Sequence, residues 1–160
     1  MRYLGGKHYF PDSLFLDPAF ELAHLTEGWS ILRHEVSMKA FLIATQVVVA
    51  LSVLNVWLLR TQTASPWRGG SARNLREEFA AYGLPSWAVS AVGAVKISCA
   101  VMLLIGLFVP ALVQPAALVL SCFMLGAIAM HVRIADPVQK SLPAAALLMM
   151  ALVAALVRVQ

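Results

Sequence analysis

The amino-acid sequence predicts an all-α integral membrane protein, a four-helix bundle preceded by an amphipathic helix at the membrane interface. Hydrophobic residues make up 61% of the chain and charged residues only 12%, and the mean hydropathy is +0.80. Soluble domains are about 45–50% apolar and about 25% charged. A soluble surface could not accommodate this surplus of apolar residues, and a bilayer can.

Four apolar stretches, at residues 40–59, 87–109, 112–131 and 142–157, are the predicted membrane spans. A helix needs about 20 residues, with a range of about 17–25, to cross the hydrocarbon layer. The first three stretches meet this requirement, whereas the last is short and is expected to stand nearly upright or to thin the bilayer. The sequence thus predicts a four-span domain over residues 39–160 after an N-terminal extension over residues 1–38.

The N-terminal extension carries an apolar stripe in which residues recur every three or four positions: Leu22, Leu25, Trp29, Leu32 and Val36. This spacing predicts an amphipathic helix that lies on a membrane surface or against a partner. Because the charges around the stripe are mostly acidic, a protein partner is favoured over anionic lipid.

A second amphipathic segment, residues 71–85, connects the first two spans. Ser71 is the predicted helix cap and Gly83 the predicted helix end. Three apolar side chains share one face, which is expected to cover one end of the bundle: Leu75, Phe79 and Tyr82.

Loop charges predict the orientation in the membrane. The loops at 61–86 and 132–141, with their flanks, contain most of the basic residues near the spans: Arg60, Arg68, Arg73, Arg76, Arg133 and Lys140. The positive-inside rule then assigns both loops to the cytoplasm. The net charge of +4 is not concentrated in a basic stretch with aromatic residues, so the expected partners are the lipid bilayer and other membrane subunits, not nucleic acid.

The sequence contains no pattern that predicts a catalytic residue or a metal site. The two cysteines, Cys99 and Cys122, lie inside spans without a CxxC spacing and are expected to pack between helices. One Glu-x-x-His motif is present, at Glu21 and His24, whereas a di-iron bundle requires two copies.

Lys96 is the most unusual residue, because it lies near the middle of an apolar span. Counted from Pro85, it is about 16 Å along a helix that rises about 1.5 Å per residue, close to the midplane. A lysine there costs about 2.5–3.5 kcal/mol on insertion scales. Gly93, Cys99 and Ala100 share its helix face, and small residues indicate close helix contact. Lys96 is therefore expected to point into the bundle.

None of the four spans contains an acidic residue that could pair with Lys96. The counter-charge would have to come from a loop, from Glu77, Glu78 or Asp136. Alternatively, Lys96 could hydrogen-bond to Gln46 or Asn55, or meet a ligand or a second chain.

His131, at the end of the third span, is the other candidate ligand-binding residue. A histidine at this level could bind a quinone carbonyl or ligate a haem, but a single histidine at a helix end is more commonly an interfacial polar residue. No second histidine is present in any span, which weakens the case for a two-histidine haem.

Four segments resemble the DoxX-like family over about residues 41–157: RGGSARNLREEFAAYGLPSW, VGAVK, MLGAIAMHVRIADP and SLPA. The resemblance implies a small four-helix membrane protein of the bacterial cytoplasmic membrane. Some members are associated with thiosulfate:quinone oxidoreduction or other thiol and redox systems, which makes quinone a possible cofactor. Many members have an acidic residue where this chain has Lys96, and the chain departs from the family pattern there.

Two functional hypotheses follow. The first is a non-catalytic accessory or assembly subunit that docks to a larger redox or energy-converting membrane complex. The second is a quinone-linked membrane module of sulfur or thiol oxidation, which rests on the family resemblance together with Lys96 and His131.

Overall fold

The computed structural model describes residues 18–157. These residues form five α-helices: α1 (Pro18–Leu54), α2 (Leu75–Ala81), α3 (Ser86–Ile105), α4 (Val113–Arg133) and α5 (Val138–Leu156). A π-helical turn, Asn55–Leu59, follows α1, and a 3₁₀ turn, Pro110–Leu112, precedes α4. No strand occurs within this part of the chain, so the all-α prediction is confirmed.

Four helical segments are long and apolar enough to cross a membrane: His24–Leu59, Ser86–Ile105, Pro110–Arg133 and Val138–Leu156. Each of them overlaps one of the four predicted spans, and the first begins at His24, well before the predicted start at residue 40. The prediction of a short last span was wrong, since α5 begins at Val138 and is 19 residues long. Pro143 lies inside α5 instead of starting it; the missing proline N–H affects only one hydrogen bond, near the helix end.

Chain contacts divide the protein into two units, residues 1–38 and 39–160. The sequence predicts a separate helix before the first span, but α1 runs without a break from Pro18 to Leu54. The segment from residue 29 to residue 59 contains neither proline nor glycine, so nothing in it interrupts a helix. In the first unit the five stripe residues are all exposed.

The core of the second unit consists of small and aliphatic side chains. Val49, Ala50 and Val53 of α1 pack with residues of α3, α4 and α5: Cys99, Ala100, Leu103, Ala116, Ala117, Leu120 and Ala155. Small residues allow the helix backbones to approach closely. Cys99 is buried as predicted, whereas Cys122 is exposed, so the packing prediction was wrong for Cys122.

The connector helix is shorter than predicted. Its cap is Asn74 and not Ser71: the Asn74 side chain accepts a hydrogen bond from the Glu77 N–H at 2.9 Å, as in other N-caps. Gly83 ends the helix as predicted, with a left-handed φ of 72°. The predicted shared face is confirmed, because Leu75, Phe79 and Tyr82 are all buried.

The loops 61–86 and 132–141 contact each other. The Gly70 N–H donates to both oxygens of the Asp136 carboxylate, at 3.1 Å each, and the Lys140 ammonium donates to the Gly70 carbonyl. The two loops therefore lie at the same end of the bundle. They close one end of the space that contains the candidate site.

Candidate functional site

The second unit contains a cavity of about 390 Å³. Its walls come from the end of α1, the π-helical turn, the connector and α3, α4 and α5. Most of the lining is apolar, with large contributions from Trp57, Phe79, Phe123, Met124 and Met130. The polar part of the lining includes Arg68, Glu78, Tyr82, Lys96, His131 and Lys140. Ligand pockets typically have this composition, an apolar wall with a few polar groups.

Lys96 lines this cavity and is only 8% exposed. Gly93, Cys99 and Ala100, on the same face of α3, are buried as well. The Lys96 Nζ lies 5.3 Å from the centroid of the Trp57 ring and 5.7 Å from that of Phe123. An ammonium at such distances from an aromatic face is stabilised by about 0.5–2 kcal/mol. Within residues 18–157, Lys96 forms neither an ion pair nor a hydrogen bond.

The π-helical turn places Trp57 beside Lys96. The Arg60 N–H donates to the Asn55 carbonyl at 3.0 Å, which is the wide hydrogen bond of a π-helix, and such turns occur frequently at functional sites. A Cβ at Gly93 would lie 2.7 Å from Cε3 of Trp57. The ring therefore occupies the space that the missing side chain of Gly93 leaves open.

Glu78 forms the buried anchor of the connector. Its carboxylate is paired with the Arg68 guanidinium at 2.9 Å and accepts the Gly69 N–H at 2.9 Å and the Tyr82 hydroxyl at 3.0 Å. Arg68 also donates to the carbonyls of Thr63 and Arg60. Glu78 is therefore engaged with other groups and does not contact Lys96.

His131 lies between the cavity and Asp136. Its Nδ1 is 2.8 Å from Oδ2 of Asp136, and its Nε2 is 3.3 Å from the Tyr82 hydroxyl. A turn at the end of α4 brings the carboxylate back to the histidine: the Asp136 N–H donates to the His131 carbonyl and the Ala135 N–H to that of Val132. This is a Schellman motif, with Ala135 at φ 54° in the place that usually holds glycine.

The Tyr82 hydroxyl lies about equally far from the two ring nitrogens of His131, 3.5 Å from Nδ1 and 3.3 Å from Nε2. The two rings are nearly perpendicular, at 84°. The single hydrogen of the hydroxyl is donated to Glu78. Tyr82 therefore packs between the carboxylate of the connector and the histidine at the end of α4.

Two neighbours of His131 have shifted pKa values. Burial and the neighbouring Glu78 carboxylate raise the pKa of Tyr82. Its hydroxyl therefore stays neutral at pH values at which an exposed tyrosine would ionise. Burial alone would raise the pKa of Asp136. Hydrogen bonds from His131, the Gly70 N–H and Lys140 outweigh this effect and hold the pKa of Asp136 below its ordinary value of 3.8.

The lowered pKa of Asp136 predicts acid sensitivity of the loop junction. The stabilising contribution of its carboxylate is complete above the unfolded-state pKa, near 3.8, and is lost as the pH falls through the lower folded-state value. We expect the stability of wild-type protein in detergent to fall in that range, and Asp136→Asn to lose most of this pH dependence. Thermal unfolding of both proteins at a series of pH values from neutral to acid measures this pH dependence. An unchanged pH profile in the variant would contradict the role given to Asp136.

The structure separates the residues that the sequence singled out. Lys96, His131 and Glu78 line one cavity, with Asp136 directly behind His131. Gln46 is buried and donates to the Leu103 carbonyl, Asn55 is exposed, and Glu77 caps α2 through the Arg73 N–H at 2.7 Å. These last three residues do not line the cavity.

Sequence reasoning missed Trp57, Arg68 and Lys140 as parts of the site. The two cations were interpreted only as topology signals, although Arg68 is buried and each is paired with a carboxylate. No sequence signal marks the π-helical turn that positions Trp57. Tyr82 was placed on the buried face of the connector, but its contact with His131 joins residues 49 positions apart.

The fold and the cavity together define a class, a small membrane protein with four candidate spans and a partly open cavity that has polar side chains in its wall. The chain belongs to the DoxX-like family, whose model matches residues 43–154. No curated protein and no solved structure matches the chain.

Proposed function

We propose that the protein binds a small, largely apolar molecule in its cavity and that Lys96 holds the polar end of this molecule. The observation that carries the proposal is the side chain of Lys96, which is buried, forms no ion pair and turns its ammonium to the cavity. A charged side chain in a membrane span is costly and typically marks a functional site. The volume of about 390 Å³ lies within the usual pocket range of about 300–1,000 Å³.

A quinone has the required chemistry. Its ring and tail are apolar, its carbonyl oxygens accept hydrogen bonds from an ammonium, and the aromatic side chains Trp57 and Phe123 offer stacking surfaces. Reduction of a quinone consumes protons, and His131 in the cavity wall, with Asp136 behind it, is the side chain that we propose supplies one. A link to sulfur or thiol oxidation in the bacterial cytoplasmic membrane is part of this proposal and is supported by the resemblance to the DoxX-like family. The cytoplasmic position of the loops 61–86 and 132–141 is also part of it and is supported by their basic residues.

Tryptophan fluorescence tests quinone binding. Ubiquinone-1 added to the purified protein in detergent is expected to quench fluorescence with a saturable dependence on concentration. Two tryptophans line the cavity, Trp57 and Trp67, so Trp57→Phe should remove part of this quenching and the double substitution Trp57→Phe and Trp67→Phe most of it. Trp87→Phe should keep the quenching, because Trp87 is exposed outside the cavity. Linear quenching that is identical in all three variants would indicate partition into the micelle and would contradict the proposal.

A second candidate function, an accessory subunit of a larger membrane complex, is favoured by the exposed stripe of the first unit. All five of its side chains are more than half exposed, from 54% at Leu32 to 67% at Val36, and contiguous exposed apolar residues typically mark an interaction surface. In this role the stripe docks to another membrane subunit.

Purification in mild detergent tests the docking role. The protein is expected to co-purify in a fixed ratio with a larger complex, and the double substitution Trp29→Ser and Leu32→Ser should release it. Ile31→Ser, which changes an exposed residue beside the stripe, is the matched control and should not. A protein that migrates alone contradicts this candidate.

A further inference from the structure

Positive charge outnumbers negative charge in the cavity wall. Four cationic side chains line it, Arg60, Arg68, Lys96 and Lys140, against one carboxylate, Glu78. Glu78 is neutralised by Arg68 at 2.9 Å, and Lys140 is paired with Asp136 at 3.2 Å. Arg60 is exposed, so solvent can screen it. Within residues 18–157, Lys96 is thus the one buried cation in the wall that forms no ion pair, and the Glu78 carboxylate acts on its charge only from a distance.

The aromatic neighbours of Lys96 do not replace a counter-charge. They contact the ammonium as ring faces, at 5.3 and 5.7 Å from the centroids. Ring faces stabilise the charge, but an ammonium also carries three N–H donors that require acceptor atoms. Nζ forms no hydrogen bond with residues 18–157 and is not fully enclosed by protein atoms, so it faces the open space of the cavity. The donors of Lys96 are therefore available to a molecule in the cavity.

We propose that the preferred ligand is a lipophilic weak acid, whose carboxylate pairs with Lys96 while its apolar body contacts Trp57, Phe123 and Met124. This inference rests on the proposed binding function and names the ligand class. A carboxylate adds the attraction between two full charges to the hydrogen bond that the ammonium donates. A neutral ligand such as a quinone accepts the same hydrogen bond but supplies no counter-ion, so we expect it to bind less tightly.

The test compares two probes that differ mainly in charge, 2-naphthoate and 2-naphthamide, at neutral pH by tryptophan fluorescence. We expect wild-type protein to bind the acid at least about tenfold more tightly than the amide, because only the carboxylate adds the attraction of a second full charge to the hydrogen bond from the ammonium. Lys96→Met should remove this preference by weakening the acid alone, and Lys96→Arg should retain much of it. Lys39→Met, a change at an exposed lysine outside the cavity, is the matched control and should bind as wild type does.

The outcomes separate the ligand class from the binding function. Equal affinity of the wild-type protein for both probes, or an acid preference that survives Lys96→Met, would overturn the acid proposal, even where ubiquinone-1 or the amide still binds saturably. If neither probe nor ubiquinone-1 binds, the binding function itself fails. Should Lys96→Met not fold, the wild-type preference between acid and amide decides the question.

Discussion

Replacing Glu78 with glutamine is expected to lower the free energy of unfolding by about 3 kcal/mol, because removal of one partner of a buried ion pair leaves the other charge uncompensated. The side chains of Arg68 and Glu78 are only 7% and 12% exposed. Arg68 keeps its bonds to the backbone carbonyls of Thr63 and Arg60, which limits the loss. Unfolding in a mixed-micelle titration measures the difference.

Glu77→Gln is the matched control for this prediction, since it makes the same chemical change at the neighbouring position. Glu77 is exposed and accepts hydrogen bonds from the Arg73 N–H and the Asn74 side chain, and the amide oxygen of glutamine can keep one of them. Its expected effect is below about 0.5 kcal/mol, as for most surface substitutions. Equal effects of the two substitutions would mean that Glu78 does not anchor the connector.

Gly93→Ala is expected to abolish most ligand binding and to cost about 1–3 kcal/mol of stability, as overpacked sites do. The added Cβ would lie 2.7 Å from Cε3 and 2.9 Å from Cζ3 of Trp57. The ring would have to move, and it would then lose its position over Lys96 and its edge-to-face contact with Phe79. Quenching by ubiquinone-1 and thermal unfolding report the two effects separately.

Gly28→Ala provides the comparison, because it is the same change within α1, its Cβ would meet nothing within 4 Å, and Gly28 does not line the cavity. It should fold and bind as the wild type does, with a small gain from helix propensity. If Gly93→Ala binds with wild-type affinity, the position of the Trp57 ring has no part in ligand binding.

The sequence predicted the helices and the inward direction of Lys96, because both depend on residues that are close together in the chain. Long apolar runs specify membrane helices, and the small residues Gly93, Cys99 and Ala100 mark the face of α3 that packs against neighbours. Gly83 marked the end of the connector helix, because a left-handed φ favours glycine. Each of these signals lies within one or two helical turns of the residue that it positions.

The rest of the site depends on contacts between distant segments, which local patterns do not specify. The sequence identified His131 and Asp136 separately, but a turn with Ala135 in the left-handed region brings them together, and alanine gives no sign of it. Glu78 was a candidate partner of Lys96, yet Arg68, ten residues before it, takes its carboxylate. The π-helical turn Asn55–Leu59 positions Trp57. Its wider hydrogen-bonding pattern likewise has no signature in the sequence.

The central claim, that the cavity beside Lys96 is a ligand site, is tested most directly by photolabelling. A quinone with a short tail and a photoreactive azide is added to the protein in detergent, irradiated, and located by peptide mass spectrometry. We expect labels on cavity residues such as Trp57, Phe123 and Met124, and we expect excess ubiquinone-1 to suppress this labelling. Labels spread over exposed apolar residues outside the cavity, such as Phe108, Leu125 and Leu156, and insensitive to competitor would contradict it.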